Sequence, residues 1–508
     1  MYHWLRIWRQ AIFVSNSAIF LERALLFCFS IHGIAMLSMM FFLLAGLPGG
    51  PHESAIRMTY VANAPWLWRL GWFPWQLTAL SDLLLSLALL RTRWRLAALL
   101  TVLLTVAGIV PDQMGQVLWI SVYGGIFYTL AAVGWTYCFA TQAQWQWRRG
   151  LTLFSVVLWA LFVFLSLNPV LPSLLRLSPL LIALGNAIGF VLLLVWFVVV
   201  TEMVLRSRRP DQAVGRYAVF HHPAAIVGPL LDLVANSRFI RTLCEYIPTV
   251  AFESDITDVV YVNYIVEASK LEPLVPVGLE LQRIGCDGRY ALFTFLTFRH
   301  GHFGPRFLGK VRQLFPSPVQ TNWRIYVKEP RTGSLGVFFV TNAISRTSVS
   351  LGARLFSEGM PMHVLHTNDL CADQDGNVSQ HLDGGNGSAP DARVTLTCVD
   401  EWPAHGPWSL CFASFEQMLA CCVPQDRAFS TQPYYRRVTA QEIKLDIPLA
   451  CCKSLEGKVR SHAAERFVGD ATPFCFFVKS VRFRFEQEVY TPLADTSLEG
   501  IVKDAKGG

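Results

Sequence analysis

Charge is what this chain has least of. Only 16% of its residues are Asp, Glu, Lys or Arg, where a soluble domain carries about 25%. Hydrophobic residues reach 53% and mean hydropathy is +0.38, so part of the chain must be almost free of charge. Metal-site spacing is missing as well. None of the 12 cysteines forms a CxxC pair, which excludes the common structural zinc sites. No nucleophile elbow and no phosphate-binding loop occurs, so Ser-His-Asp hydrolysis and P-loop chemistry lack their signatures. There is no basic stripe interleaved with aromatics of the kind that grips nucleic acid. The net charge of +7 comes instead from arginines at the ends of apolar runs, where membrane topology accounts for them. The sequence therefore implies no metal, no cofactor and no nucleic-acid partner.

What the chain does have is long apolar runs, all before Arg206. A span needs roughly 20 such residues. About six candidates follow from that rule, at 24–46, 71–90, 96–110, 117–140, 150–167 and 180–205. Arg6, Arg9 and Arg23, then Arg91, Arg93 and Arg95, then Arg148 and Arg149, then Arg206, Arg208 and Arg209 fall in alternate links. Positive residues stay on the cytoplasmic side, which places both termini in the cytoplasm of a bacterial inner-membrane protein. The first run is too long for a cleavable signal and leads straight into further spans. Trp66, Trp68, Trp72 and Trp75 suit the headgroup belt.

Asp82 sits near the middle of the second run. An ionisable group there is costly and marks a functional candidate, with His32, Gln76 or Asn186 as partners. The alternative is a protonated or hydrogen-bonded Asp that fixes helix packing. A transporter using Asp82 stays open, although no repeat or paired broken helix supports it.

After Arg206 the sequence is of ordinary soluble type. Ten of the 12 cysteines lie there, and a cytoplasmic domain keeps them reduced. The sequons at Asn377 and Asn386 matter only on the outer side. We divide the chain into a helical membrane domain 1–205, a connector 206–250, a β domain 251–490 and a tail 491–508. The connector holds one amphipathic helix, 228–246. His221-His222-Pro223 reads as a turn, since no third ligand stands at helical spacing. From Val259 the apolar period becomes two. Strands are expected at 259–266, 290–298, 323–327, 336–341, 393–399, 408–412 and 474–485, with short helices at 351–356 and 414–421. Residues 371–392, rich in Asp, Gly, Asn and Ser, read as a mobile surface insertion.

Within that domain, the run Leu271-Glu272-Pro273-Leu274-Val275-Pro276-Val277-Gly278-Leu279-Glu280-Leu281 resembles the opening of an uncharacterised bacterial family related in fold to acetoacetate decarboxylase. Asn322-Trp323-Arg324-Ile325-Tyr326-Val327 resembles its "N-x-R-x-Y-V" strand. Leu351-Gly352-Ala353-Arg354-Leu355-Phe356, followed by Gly359-Met360-Pro361, resembles its helix and turn. The resemblance covers about residues 255–490 and implies an acetoacetate-decarboxylase-like barrel with a small-molecule cavity. It does not carry over the decarboxylase chemistry. That chemistry needs a lysine amine able to form a Schiff base, and here Pro361 is followed by Met362-His363-Val364. Lys328 stands instead in a hairpin turn.

Strand alternation puts Asn322, Arg324 and Tyr326 on one face. A guanidinium between an amide and a phenol suits a carboxylate, or else serves a structural ion pair. These three, with Arg354 and His363, form the expected ligand-binding set. His363 is also the one candidate general base. His300 and His302 share a face only if their strand continues. The whole reads as an all-α transmembrane bundle carrying a mainly-β (α+β) domain that binds an anionic or lipid-like molecule. A lyase acting on a hydrophobic acid is the alternative. The bilayer and a small molecule are the expected partners, with room for a homo-oligomer.

Overall fold

The computed structural model describes residues 2–43, 53–91, 95–118, 122–140, 149–168, 171–172, 176–208, 219–247, 250–357, 360, 362–385, 390–423, 427–432, 437–445 and 447–492. It falls into two compact units, Met1–Arg209 and Pro210–Gly508. The expected tail from 493, the sequon at Asn386, Arg148, Arg209, and Gly359 and Pro361 of the expected turn lie outside the described residues.

The first unit is helical: α1 (Tyr2–Ser38), α2 (Glu53–Asn63), α3 (Pro65–Leu89), α4 (Arg95–Leu118), α5 (Val122–Ala140), α6 (Arg149–Leu167) and α7 (Pro179–Arg208). Among the described residues, three stretches are long and apolar enough to cross a membrane: Ile19–Leu43, Arg149–Leu167 and Leu180–Leu205. The described residues of the other expected spans are helical too, but Gln76 and Asp82 make α3 less apolar, and Tyr123, Tyr128 and Trp135 do the same for α5. Indole N–H groups join neighbouring helices through hydroxyls. Trp135 donates to Ser86 at 2.9 Å, Trp159 to Thr136 at 2.8 Å and Trp196 to Ser155 at 2.9 Å. In an apolar bundle such polar pairs and small residues set which helices meet. A Cβ on Gly134 would lie 2.5 Å from the Thr101 hydroxyl, so α4 and α5 approach where glycine allows it.

The second unit opens with two short helices, α8 (Gly228–Ala235) and α9 (Arg238–Cys244), where one amphipathic helix was expected. The break has a local cause. Asn236 turns its side chain to the Phe220 backbone, and Ser237 caps α9 by accepting from the Ile240 N–H, a favoured way to begin a helix.

The β region then follows. Its main strands are β1 (Phe252–Glu267), β2 (Tyr290–Arg299), β3 (Val319–Lys328), β4 (Leu335–Ile344), β5 (Thr367–Ala372), β6 (Val378–Asp383), β7 (Asp391–Val399), β8 (Arg427–Gln432), β9 (Arg437–Leu445), β10 (Cys452–Arg460) and β11 (Phe474–Pro492). Together with short bridges they form one sheet in the order β1-β2-β3-β4-β8-β9-β11-β10-β7-β6-β5, and β11 also pairs with β1. Because β11 pairs with β9 along one stretch and with β10 along another, the sheet branches rather than forming a single closed barrel. The expected 371–392 insertion contains β6 and the starts and ends of its neighbours. The expected strand at 408–412 is instead a 3-10 turn, Pro407–Leu410. Pro407, at its first position, is preset for a helical turn and cannot donate to a ladder.

Alternation along the strands builds two cores. Val260, Val262, Phe293, Phe295, Trp323 and Ile325 pack on one face. Val259, Tyr261, Leu296, Tyr326, Phe339 and Phe476 pack on the other. The second face also carries α11 (Phe415–Cys422), through Phe415, Met418 and Leu419. The remaining helix that bears on the site is α10 (Thr347–Phe356).

Candidate functional site

β3 is buried along its whole length except at Lys328. Trp323 and Ile325 fill the first core, stacking at 4.6 Å on Phe295 in the case of Trp323. Period two then turns Asn322, Arg324 and Tyr326 to the second core, an apolar setting in which each polar group must find a partner.

Tyr326 does so through its hydroxyl, 3.0 Å from Thr294 Oγ1 and 3.2 Å from the Cys422 carbonyl. Thr294 in turn donates to Asn263 Oδ1 at 2.8 Å. Arg324 donates through Nη2 to the same Cys422 carbonyl at 3.2 Å and lies 3.4 Å from the Tyr326 hydroxyl. Its guanidinium carbon is 5.6 Å from the Tyr261 ring centre and 5.4 Å from that of Tyr326, within cation–π range. Tyr261 is held flat on Phe476, with centroids 4.3 Å apart. Burial pushes the Tyr326 and Tyr261 phenols up from their ordinary pKa, against the pull of Arg324. Burial also opposes the charge of Arg324, yet the phenols beside it hold its pKa above the ordinary value.

Arg324 is 3% exposed. Among the described residues no carboxylate pairs with it, and its Nε has no hydrogen-bond partner. Deeper along the same face, Asn322 accepts from Gln320 at 2.7 Å. Gln320 meets His300 Nε2 at 2.8 Å, and His300 Nδ1 meets Ser254 at 2.9 Å. Burial lowers the His300 pKa to about 4.

Residues 253–398 match the model of DUF2071, described as an uncharacterized conserved protein. The C-terminal unit contains a DUF2071 domain. That match bears out the resemblance drawn from the 271–281 run and the Asn322–Val327 strand. Among solved structures, an acetoacetate decarboxylase-like enzyme from Sphingomonas wittichii RW1 is similar at 11% identity and a TM-score of 0.34, covering 48% of this chain and 94% of that one. Acetoacetate decarboxylase from Legionella pneumophila is similar at 12% identity and 0.33, covering 47% and 86%. The enduracididine biosynthesis enzyme MppR, complexed with pyruvate, is similar at 15% identity and 0.33, covering 49% and 92%. No curated protein matches the chain.

The DUF2071 domain brings Asn322, Arg324 and Tyr326 to one face, but it places Arg354 and His363 in another setting. Arg354, on α10, donates to the carbonyls of Ala235 at 3.2 Å and Met362 at 3.4 Å and to Asn236 at 3.4 Å. Its guanidinium lies 5.7 Å from the Phe220 ring. These contacts fasten α8 and the segment before it to the sheet. His363 is buried, and its Nε2 has no partner among the described residues. Burial, then the Arg354 and His221 charges, lower its pKa to about 3.

The His300–His302 pair does not form. The strand ends at Arg299, and His302 turns away at φ +52° and is exposed. Lys328 is exposed at the head of a hairpin whose tip is held by Glu329 accepting from the Arg331 and Thr332 N–H groups. Sequence reading missed Tyr261, Asn263, Thr294 and the Cys422 carbonyl. Asn263 carried a signal, as the one amide in the apolar run 259–266.

In the helical unit, His32 Nε2 lies 3.7 Å from Asp82 Oδ1. Both line a cavity of about 280 Å3 with Gln76 and Asn186, the residues expected as partners of Asp82.

Proposed function

We propose that the DUF2071 domain binds a small carboxylate, free or lipid-derived, with Arg324 as its counter-charge, and that the N-terminal helices anchor this domain at a bacterial inner membrane with both termini cytoplasmic. The reading rests on one observation: a buried guanidinium that, among the described residues, has no carboxylate beside it and an Nε without a partner. A lone buried charge is costly unless something pairs with it. A planar fork of N–H donors fits a carboxylate in bidentate fashion. Tyr326, Tyr261 and Asn322 would orient the bound acid. No described lysine contacts this cluster, and the reading is of a binding domain.

Calorimetric titration of the full chain in detergent with octanoate and with octanol tests it. Saturable binding of the acid, with the alcohol weaker by on the order of tenfold or more, supports the proposal. Equal binding of the two, or no saturable binding of octanoate, would overturn it.

A further inference from the structure

The helical unit contains a second candidate site, independent of Arg324. Its cavity of about 280 Å3 is walled by rings that include Trp75, Trp135, Phe190 and Phe197. Two buried polar atoms on its lining residues, Asp82 Oδ1 and Trp75 Nε1, have no hydrogen-bond partner among the described residues. The contrast with the rest of the unit is informative. Trp135, Trp159 and Trp196 each donate to a hydroxyl on a neighbouring helix, whereas Trp75 Nε1 does not.

The tautomer of His32 sharpens the chemistry. Its Nδ1 lies 2.8 Å from the Cys28 carbonyl, which only accepts, so the hydrogen sits on Nδ1. In the neutral ring Nε2 is then a bare acceptor. It faces Asp82 Oδ1 at 3.7 Å, too long for a hydrogen bond. Two acceptors facing each other beside a cavity call for a donor between them. A protonated amine supplies N–H groups to both, and the lining is rich in aromatic rings, whose faces attract a cation. The unused Trp75 N–H adds a donor for a ligand oxygen.

We propose that this cavity binds a small organic ammonium ion with an apolar substituent, its N–H groups on Asp82 and His32 and its apolar part against the Trp and Phe wall. The charge is decided by Asp82, the only carboxylate among the described lining residues.

Calorimetric titration of the full chain in detergent micelles with 2-phenylethylamine, cationic at neutral pH, and with its neutral isostere 2-phenylethanol provides the test. The amine is expected to bind saturably, with the alcohol weaker by on the order of tenfold or more. Asp82→Asn should weaken the amine by a similar factor. Trp75→Phe should weaken an amine bearing a hydroxyl, such as 2-amino-1-phenylethanol, by roughly threefold to tenfold. Equal binding of amine and alcohol, absence of saturable binding, or unchanged amine affinity in a folded Asp82→Asn protein would overturn the proposal. If that variant does not fold, the amine-to-alcohol ratio of the native chain decides alone.

Discussion

Arg324 and Tyr326, two positions apart on one strand, reach the same acceptor: the Cys422 carbonyl lies 3.2 Å from Arg324 Nη2 and 3.2 Å from the Tyr326 hydroxyl. That carbonyl belongs to the end of α11, whose side chains pack on the same core. The helix thus closes over a cationic group that, among the described residues, has no carboxylate beside it.

Removing the charge separates binding from stability. Arg324→Met keeps the bulk of the side chain while deleting an uncompensated buried cation. Such replacements are often neutral or stabilising. Thermal unfolding should place the variant within about 1 kcal/mol of the native protein or above it, while octanoate binding is lost. A large drop in stability together with retained binding would show that Arg324 is structural.

Tyr326→Phe removes the hydroxyl that meets Thr294, Arg324 and the Cys422 carbonyl. Its partners keep other contacts, Thr294 with Asn263 and the Cys422 carbonyl with Arg324, so the loss is that of a net hydrogen bond, about 0.5–1.5 kcal/mol. Chemical unfolding should show a loss in that range, and octanoate affinity should fall with it.

Acid should weaken the fold through two histidines. Burial lowers His300 to about 4 and His363 to about 3, from 6.5. Both are neutral in the folded chain, while the unfolded chain takes up their protons below pH 6.5. Their contribution is therefore complete above that pH and is lost as pH falls through the window toward 4 and 3. Each adds a slope of at most about 1.4 kcal/mol per pH unit there. Unfolding temperature measured from pH 7 to 4 should fall, and His300→Gln should flatten the fall. An unchanged pH profile in that variant would contradict this assignment.

Gly336 guards the parallel join between β4 and β8. A Cβ there would lie 2.5 Å from the Arg427 carbonyl and 2.7 Å from the Phe429 ring, beside the Val337–Ala428 pairing. Gly336→Ala should cost about 1–3 kcal/mol by overpacking, read as a lower unfolding temperature.

The same residues show what sequence alone revealed. Strand centres were legible wherever branched and aromatic residues alternate, as in 259–266, but β1 begins seven residues earlier, at Phe252. There Glu253, Asp255 and Asp258 interrupt the apolar pattern, and Glu253 is held instead by Arg482 on the partner strand. Asn322, Arg324 and Tyr326 were legible as a set because period two fixes their face. The surroundings of Arg354 were not, since its acceptor Ala235 lies 119 residues away. The turn at His302 rests on a left-handed backbone that local propensity does not announce. The Asp82, His32, Gln76 and Asn186 grouping was legible because polar residues in apolar runs are few, and helix packing gathers them around one cavity.

The central claim is that Arg324 waits for an anion, and crystals of the full chain soaked with a bromine-tagged octanoate test it most directly. The account predicts anomalous bromine density in the second core, with the carboxylate about 2.7–2.9 Å from the Arg324 guanidinium. Bromine bound elsewhere, with Arg324 still contacting only Tyr326, Tyr261 and the Cys422 carbonyl, would contradict it.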